Sequence, residues 1–409
     1  MYPADFHVHS RFSRATSKSM NLEELSQWAR RKGIRCVGTG DFTHFLWFHE
    51  LRGLLKATDR EGIFTYGGVD FMLTSEICAI FDRQGRSKRI HLMVFASDLG
   101  RLEKLNQMLE HHGDLNVDGR PILHIEASDL VEVVKSADEK GFIVPAHVWT
   151  PHFSLFGSNS GFDTIEECFG SMTEEIPALE TGLSSDPPMN RRVSALDRFS
   201  LISNSDAHSP DKLGREMNVF RGPFDVVGLK KILKERNTEE FLFTVEYFPE
   251  EGKYHYDGHR TCKYSCAPEE SVKRNNLCPV CGRNVTVGVM HRVGDLADRT
   301  DGALLPGVPG FRKMVPLDQI IGAVLCAAPD SVGVRNKYLE TVRKCGTEFA
   351  VLIELEDTDL FRLLDPVLAA AVRQVRNGEV RITPGYDGEF GKVEIINDHP
   401  QGADEQSLF

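Results

Sequence analysis

The 409 residues hold no run of about eighteen consecutive apolar side chains, the length a helix needs to cross a bilayer. Residues 1–30 hold no basic segment followed by an apolar stretch. Neither a membrane span nor a secretory leader is expected, no membrane partner is implied, and the location these features predict is cytoplasmic. Positive charge is outnumbered: 48 Lys and Arg stand against 60 Asp and Glu, for a net charge of -12. That excludes a surface coated with cations and confines any nucleic-acid contact to a local basic groove. The nine cysteines are not spread as a disulfide framework: Cys36, Cys78, Cys168, Cys326 and Cys345 are scattered through apolar context and the other four cluster, a usage that fits a reducing compartment.

With 41% hydrophobic and 26% charged residues, the chain can bury a large core and is long enough for two or three domains. Residues 1–247 alternate short apolar runs with helical stretches, which predicts βα units around a parallel sheet or barrel. Asn21 caps a helix that Gly33 stops, and Ile34 to Gly38 reads as the next strand. Ser128 caps a helix running to Lys140, Phe142 to Ala146 is a strand that delivers His147, and further strands span Ile176 to Leu179 and Leu201 to Asn204. A boundary falls near residue 248, where Gly, Tyr, His and Pro accumulate. A small cysteine-bearing domain over 248–297 follows, then a mostly helical domain over 298–397 with helices at Leu317 to Leu325 and Asp357 to Arg376, and a tail over 398–409.

Potential metal ligands gather at the strand ends. His7 and His9, at i and i+2 on an extended segment, face one side and can share a cation. Asp41 and His44 follow the second strand, Glu76 follows the run Phe71 to Ser75, His91 opens a strand, His147 ends one, and Asp206 and His208 end another. In barrels and open α/β sheets this edge is where chemistry is placed. Several imidazoles with a bridging carboxylate suit Zn²⁺, Mn²⁺ or Fe²⁺ better than Mg²⁺ alone, and two or three catalytic divalent cations (Zn²⁺, Mn²⁺ or Mg²⁺) are expected.

Together His7-x-His9, Asp41 to His44, Glu76, His91, His147 and Asp206-x-His208 resemble the PHP (polymerase and histidinol phosphatase) family. The resemblance implies a distorted (β/α)7 barrel in which His7, His9, Glu76 and Asp206 hold one metal and Glu76, His91 and His147 a second, with Glu76 bridging. It makes His7, His9, Glu76 and Asp206 the catalytic set. For a third metal the sequence offers Asp41 or His44 with His208. Arg11 and Arg14 stand where the family carries a further histidine, as phosphate clamps or as solvated cations. His152 is a proton donor to the leaving oxygen or an exposed loop residue, and Trp149 is a stacking surface for a base or a core side chain.

Cys262-x3-Cys266, then eleven residues, then Cys278-x2-Cys281 reads as a closed structural Zn²⁺ site of four thiolates. Arg283 and Arg292 are among the cations around it, with tyrosines interleaved, which suits contact with a DNA strand or a module that buttresses the barrel. The barrel ligands, the cysteine module and the helical C-terminal part together resemble the endonuclease Q family. That resemblance implies hydrolysis of a DNA phosphodiester 5′ of a deaminated base (hypoxanthine, uracil or xanthine) or of an abasic site, so DNA containing such lesions is the expected partner. Glu405-Gln406-Ser407-Leu408-Phe409 is similar to a sliding-clamp-binding peptide. A small-molecule phosphatase or non-specific exonuclease on the same barrel, or a non-catalytic clamp-recruited adaptor, would use only part of these features.

Overall fold

The computed structural model describes residues 1–302 and 305–395. The clamp-like peptide therefore lies outside the described residues. Seven strands follow one another around a ring: Tyr2–Asp5, Cys36–Gly38, Val69–Arg83, Arg86–Ala96, Phe142–Pro145, Ala178–Glu180 and Ser200–Ile202. The first three are parallel neighbours, and the last two pair in parallel. Val148 N–H, donating to Glu180 C=O at 3.0 Å, and a parallel bridge between Val8 and Ala207 complete the circuit. The distortion has a local cause. Val69–Arg83 and Arg86–Ala96 form one long antiparallel hairpin, turned by Gln84 and Gly85 at φ 54° and 74°, so one strand runs against the other six.

The helix Leu22–Lys32 forms as its sequence predicts. The Asn21 side chain accepts from Glu24 N–H, Gly33 closes it at φ 87°, and Leu22, Leu25 and Ala29 turn inward. Two expectations shift. The helix expected from Ser128 to Lys140 runs Ala127–Ala137 with Glu126 at its cap, because Asp138 turns its carboxylate to Ser97 N–H and Oγ–H at 2.6 and 2.8 Å. The long helix expected over Asp357 to Arg376 is two, Asp357–Leu363 and Pro366–Arg376, since Pro366 disfavours helical backbone at Asp365, which becomes a cap.

Two antiparallel strands, Met217–Phe220 and Phe241–Glu246, extend the sheet from Tyr2–Asp5. Gly310–Lys313 then pairs in parallel with Phe241–Glu246, so the C-terminal region begins with a strand sewn into the barrel sheet. The helices Leu317–Leu325, Val332–Cys345 and Pro366–Arg376 pack beyond it, followed by the hairpin of Val380–Thr383 and Lys392–Ile395. The cysteine region is pinned to the barrel through Arg292, which donates to the backbone oxygens of Phe156 and Phe162 at 2.9 and 3.0 Å and to Asp163 Oδ1 at 2.6 Å. Among the described residues no helix is long and apolar enough to cross a membrane.

Candidate metal centre

Six chain segments converge at one end of the ring. His7 and His9 follow the first strand, Glu76 lies midway along the third, and His91 lies on the antiparallel fourth, where its neighbour in register is Cys78. His147, Glu180 and Asp206 stand at or just past the ends of the last three strands. Asp41, His147 and Asp206 all adopt positive φ, at 49°, 30° and 47°. Left-handed backbone is uncommon outside glycine, Asp and His being among the residues that enter it most readily, and it recurs where the surrounding structure dictates side-chain direction. Gly182 makes room for one of these turns, since a Cβ there would lie 2.5 Å from the His147 Cβ.

Two groups of ligand atoms result. His7, His9, Glu76 and Asp206 each offer an atom within 4.8 Å of the others, and so do Glu76, His91 and His147. Glu76 joins them. Its Oε2 lies 3.3 Å from His9 Nε2 and 3.6 Å from His7 Nε2, while its Oε1 lies 2.7 Å from His91 Nδ1 and 2.9 Å from His147 Nε2. Asp206 Oδ1 is 3.1 Å from His9 Nε2 and 3.6 Å from His7 Nε2. His7 Nε2 is buried without a hydrogen-bond partner and points into the first group, as a nitrogen awaiting a cation would. The donor set of imidazoles and carboxylates therefore fits divalent metal.

The buried carboxylates make the site strongly negative, a field that favours any cation there, a proton on His7 or His9 included. Burial disfavours the charged form of His7, yet Glu180, Glu76 and Asp206 around it hold its pKa well above the usual imidazole value. His9 is likewise raised against burial by Asp41, Asp206 and Glu76. Burial pushes His91 down to about 4, which leaves the neutral ring a metal requires. Burial would raise Glu76, but His91, Arg120 and His7 hold it well below the ordinary carboxylate range.

A second ring of contacts aims the imidazoles. Glu180 sets both carboxylate oxygens 3.0 Å from His7 Nδ1, and accepts from His147 N–H and Asn204 Nδ2–H at 2.8 Å each. Asp41 Oδ1 does the same for His9 Nδ1 at 3.0 Å. Thr150 Oγ1 lies 3.1 Å from His147 Nδ1. Such partners fix the ring orientation and raise ligand basicity. Glu180 is absent from the sequence reading, although it ends a strand after Ala178-Leu179 with the same signal as the other ligands.

The third metal position is a departure. Among the described residues Asp41, His44 and His208 form no such group. Asp41 spends its second oxygen on Ser10 N–H, Ser10 Oγ–H and Ser13 Oγ–H at 2.5, 2.7 and 2.9 Å. His44 stacks on Phe12 with ring centres 4.3 Å apart, and His208 tilts over His9 at 4.5 Å with Nδ1 on the Asp206 carbonyl oxygen at 2.9 Å.

Several assignments to substrate change as well. Arg11 is tied to Glu50 by two hydrogen bonds and lies over Phe12 and Trp47, so it braces the loop after His9. Arg14 is largely exposed and pairs with Asp118 at 3.3 Å. Trp149 is a core side chain, 1% exposed, packed on Phe156 and donating to Asn190 Oδ1 at 2.7 Å, which removes it as a stacking surface. Arg292 is consumed in pinning the cysteine region, whereas Arg283 remains exposed. His152 is exposed, stays out of both ligand groups, and lies 3.0 Å from Asn159 Nδ2.

In the cysteine region, Cys262, Cys278 and Cys281 gather with His259, each offering an atom within 4.8 Å of the others. His259 Nδ1 lies 3.4 Å from Cys281 Sγ. Cys266 is outside this group: it sits on the strand Tyr264–Cys266, paired in register with Asp257, and is buried. His259-x2-Cys262 repeats the spacing of Cys278-x2-Cys281, a signal the sequence carries and the four-thiolate reading passes over.

The MJ0043 C-terminal domain family matches residues 316–379. The uncharacterized protein YqxK of Bacillus subtilis (strain 168) is 29% identical over 411 residues, 95% of this chain and 98% of that protein. Among solved structures, the lesion-specific endonuclease PfuEndoQ from Pyrococcus furiosus superposes with a TM-score of 0.85 at 29% identity, over 96% of this chain and 95% of its own. Endonuclease Q in complex with a 27-mer duplex substrate carrying an abasic lesion at the active site superposes at 0.87 and 29% identity, over 97% of each chain.

Proposed function

We propose that this chain, which matches the endonuclease Q structures over 96–97% of its length, is a metal-dependent DNA repair endonuclease that nicks the strand 5′ of a deaminated base or an abasic site. The observation that carries the reading is the pair of ligand groups joined by Glu76 at the mouth of a barrel whose whole-chain match includes a complex with lesion-bearing duplex.

In this reading His7, His9, Glu76 and Asp206 hold one divalent cation and Glu76, His91 and His147 a second. When bound, the cations supply Lewis-acid stabilisation of phosphate oxygens and make water acidic enough to ionise near neutral pH. The protein's own contribution is orientation. Glu180, Asp41 and Thr150 fix the rings of His7, His9 and His147, and the positive-φ turns at His147 and Asp206 aim their side chains inward. His259, Cys262, Cys278 and Cys281 would hold a structural Zn²⁺, whose binding would stabilise the small domain. Arg283, exposed beside that site, is a contact for the DNA backbone. A damaged or mispaired base costs least to unstack, which favours lesions over intact pairs.

The test is cleavage of an end-labelled duplex carrying one deoxyuridine, deoxyinosine or abasic site, with Mg²⁺ or Mn²⁺, beside an undamaged control. A single nick immediately 5′ of the lesion is expected. An intact lesion duplex beside rapid turnover of a phosphomonoester would overturn the reading in favour of a small-molecule phosphatase.

A further inference from the structure

The loop that ends at Pro121 brings a cation to the metal centre that no spacing in the sequence announces. Arg120 Nη1 donates to Glu76 Oε2 at 3.1 Å, the same oxygen that faces His7 and His9. The approach is built in. Gly119 packs so closely that a Cβ there would collide with the Asp41 carboxylate and lie 2.5 Å from Ser13 Oγ. Gly119 N–H donates to the Phe12 carbonyl oxygen at 3.1 Å, Thr43 Oγ1–H to the Gly119 carbonyl oxygen at 3.4 Å, and Cys78 N–H to the Pro121 carbonyl oxygen at 3.0 Å. Arg120 N–H is held by Asp118 Oδ1 at 3.2 Å. The guanidinium is thus carried on a segment tied to three parts of the barrel.

A guanidinium has five N–H donors in a planar fork. Among the described residues Glu76 is the one carboxylate that accepts from Arg120, and the side chain keeps 29% of its surface exposed while Glu76 has none. One edge is therefore engaged, and the exposed part of the side chain can meet an incoming group. Meanwhile the residues expected to hold a third cation are engaged elsewhere or apart, as described for Asp41, His44 and His208.

We propose that Arg120 is a catalytic residue that binds a non-bridging oxygen of the scissile phosphate, a fixed positive charge in place of a third metal. The inference rests on the phosphodiesterase reading. As the phosphate passes through its five-coordinate transition state, charge grows on the non-bridging oxygens, and a preset N–H donor in a water-poor site stabilises it. Because the charge is covalently carried, it does not depend on metal concentration. Glu76 fixes the fork at one edge and leaves the other to the substrate.

The experiment compares wild type with R120Q, R120K and R120A, on the lesion duplex and on bis(p-nitrophenyl) phosphate, a plain phosphodiester that needs no lesion recognition. Metal content by elemental analysis and inorganic phosphate binding by calorimetry are read alongside. Expected are a fall in kcat of about 10²–10³-fold for R120Q on both substrates, partial retention in R120K, rescue of R120A by free guanidinium, weakened phosphate binding and unchanged metal content. A kcat within about twofold of wild type in R120Q would overturn the proposal. So would loss of metal in all three variants, which would make Arg120 a positioning residue for Glu76. If wild type cleaves the diester and leaves the lesion duplex intact, the repair reading fails while the Arg120 effect is still measured on the diester; turnover of neither substrate overturns both.

Discussion

Asp41 Oδ1 lies 3.0 Å from His9 Nδ1 while the other ring nitrogen of His9 lies 3.1 Å from Asp206 Oδ1, so Asp41 grips the back of an imidazole whose front faces the candidate metal group. Its effect on metal is indirect. Asp41→Asn is expected to weaken cation affinity about 10–100-fold and to recover activity at high metal concentration. A titration of activity against Mn²⁺ measures this, and an irrecoverable loss at saturating metal would mean that Asp41 ligates directly.

Glu76 serves both groups and Asp206 only the first. Glu76→Gln should therefore lose both catalytic cations, and Asp206→Ala one, with hydrolysis abolished in each. Elemental analysis of the purified variants counts the ions. Equal stoichiometry in the two variants would contradict a bridging Glu76.

His259 and Cys266 can be separated by substitution. His259→Ala should release the structural Zn²⁺ and loosen the 248–297 region, His259→Cys should retain it with a fourth thiolate, and Cys266→Ser should leave the zinc in place. Zinc content and protease sensitivity of that region report the outcome. Zinc loss in Cys266→Ser with retention in His259→Ala would restore the four-thiolate set.

Burial, aided by Glu250, pushes the Glu251 carboxyl from 4.5 up to about 8, and its Oε1 is buried without a partner. The folded state then holds a proton that the unfolded state releases. The contribution to stability is complete below about pH 4.5 and is lost as pH rises to about 8. Glu251→Gln cannot ionise, so its melting temperature relative to wild type should climb between pH 5 and pH 8. A difference that stays flat over this range would show that Glu251 is already ionised in the folded protein.

Much of the site is legible because strand ends are short and marked. His7, His9, Glu76, His91, His147 and Asp206 each sit in or beside an apolar run, and alternation on extended backbone puts the HxH pair on one side. Glu180 carries that signal too, and a lone carboxylate after two apolar residues is easily left out of a metal reading. Arg120 carries none. Its place depends on a close approach by Gly119 to Asp41, seventy-eight positions earlier in the chain.

The sequence by itself determined the alternating βα units, the clustered cysteines and the types of candidate ligand, since periodicity, caps and residue chemistry are local properties, whereas the closed barrel was what the family resemblance implied. Tertiary structure alone decided which polar groups meet. It turned Asp41 onto His9, buried Trp149 against Phe156, spent Arg292 on Phe156, Phe162 and Asp163, and put His259 in place of Cys266. Each outcome depends on the direction of a side chain relative to a segment far away in sequence. Backbone turns at positive φ and the register of the Asp257–His259 and Tyr264–Cys266 strands set those directions.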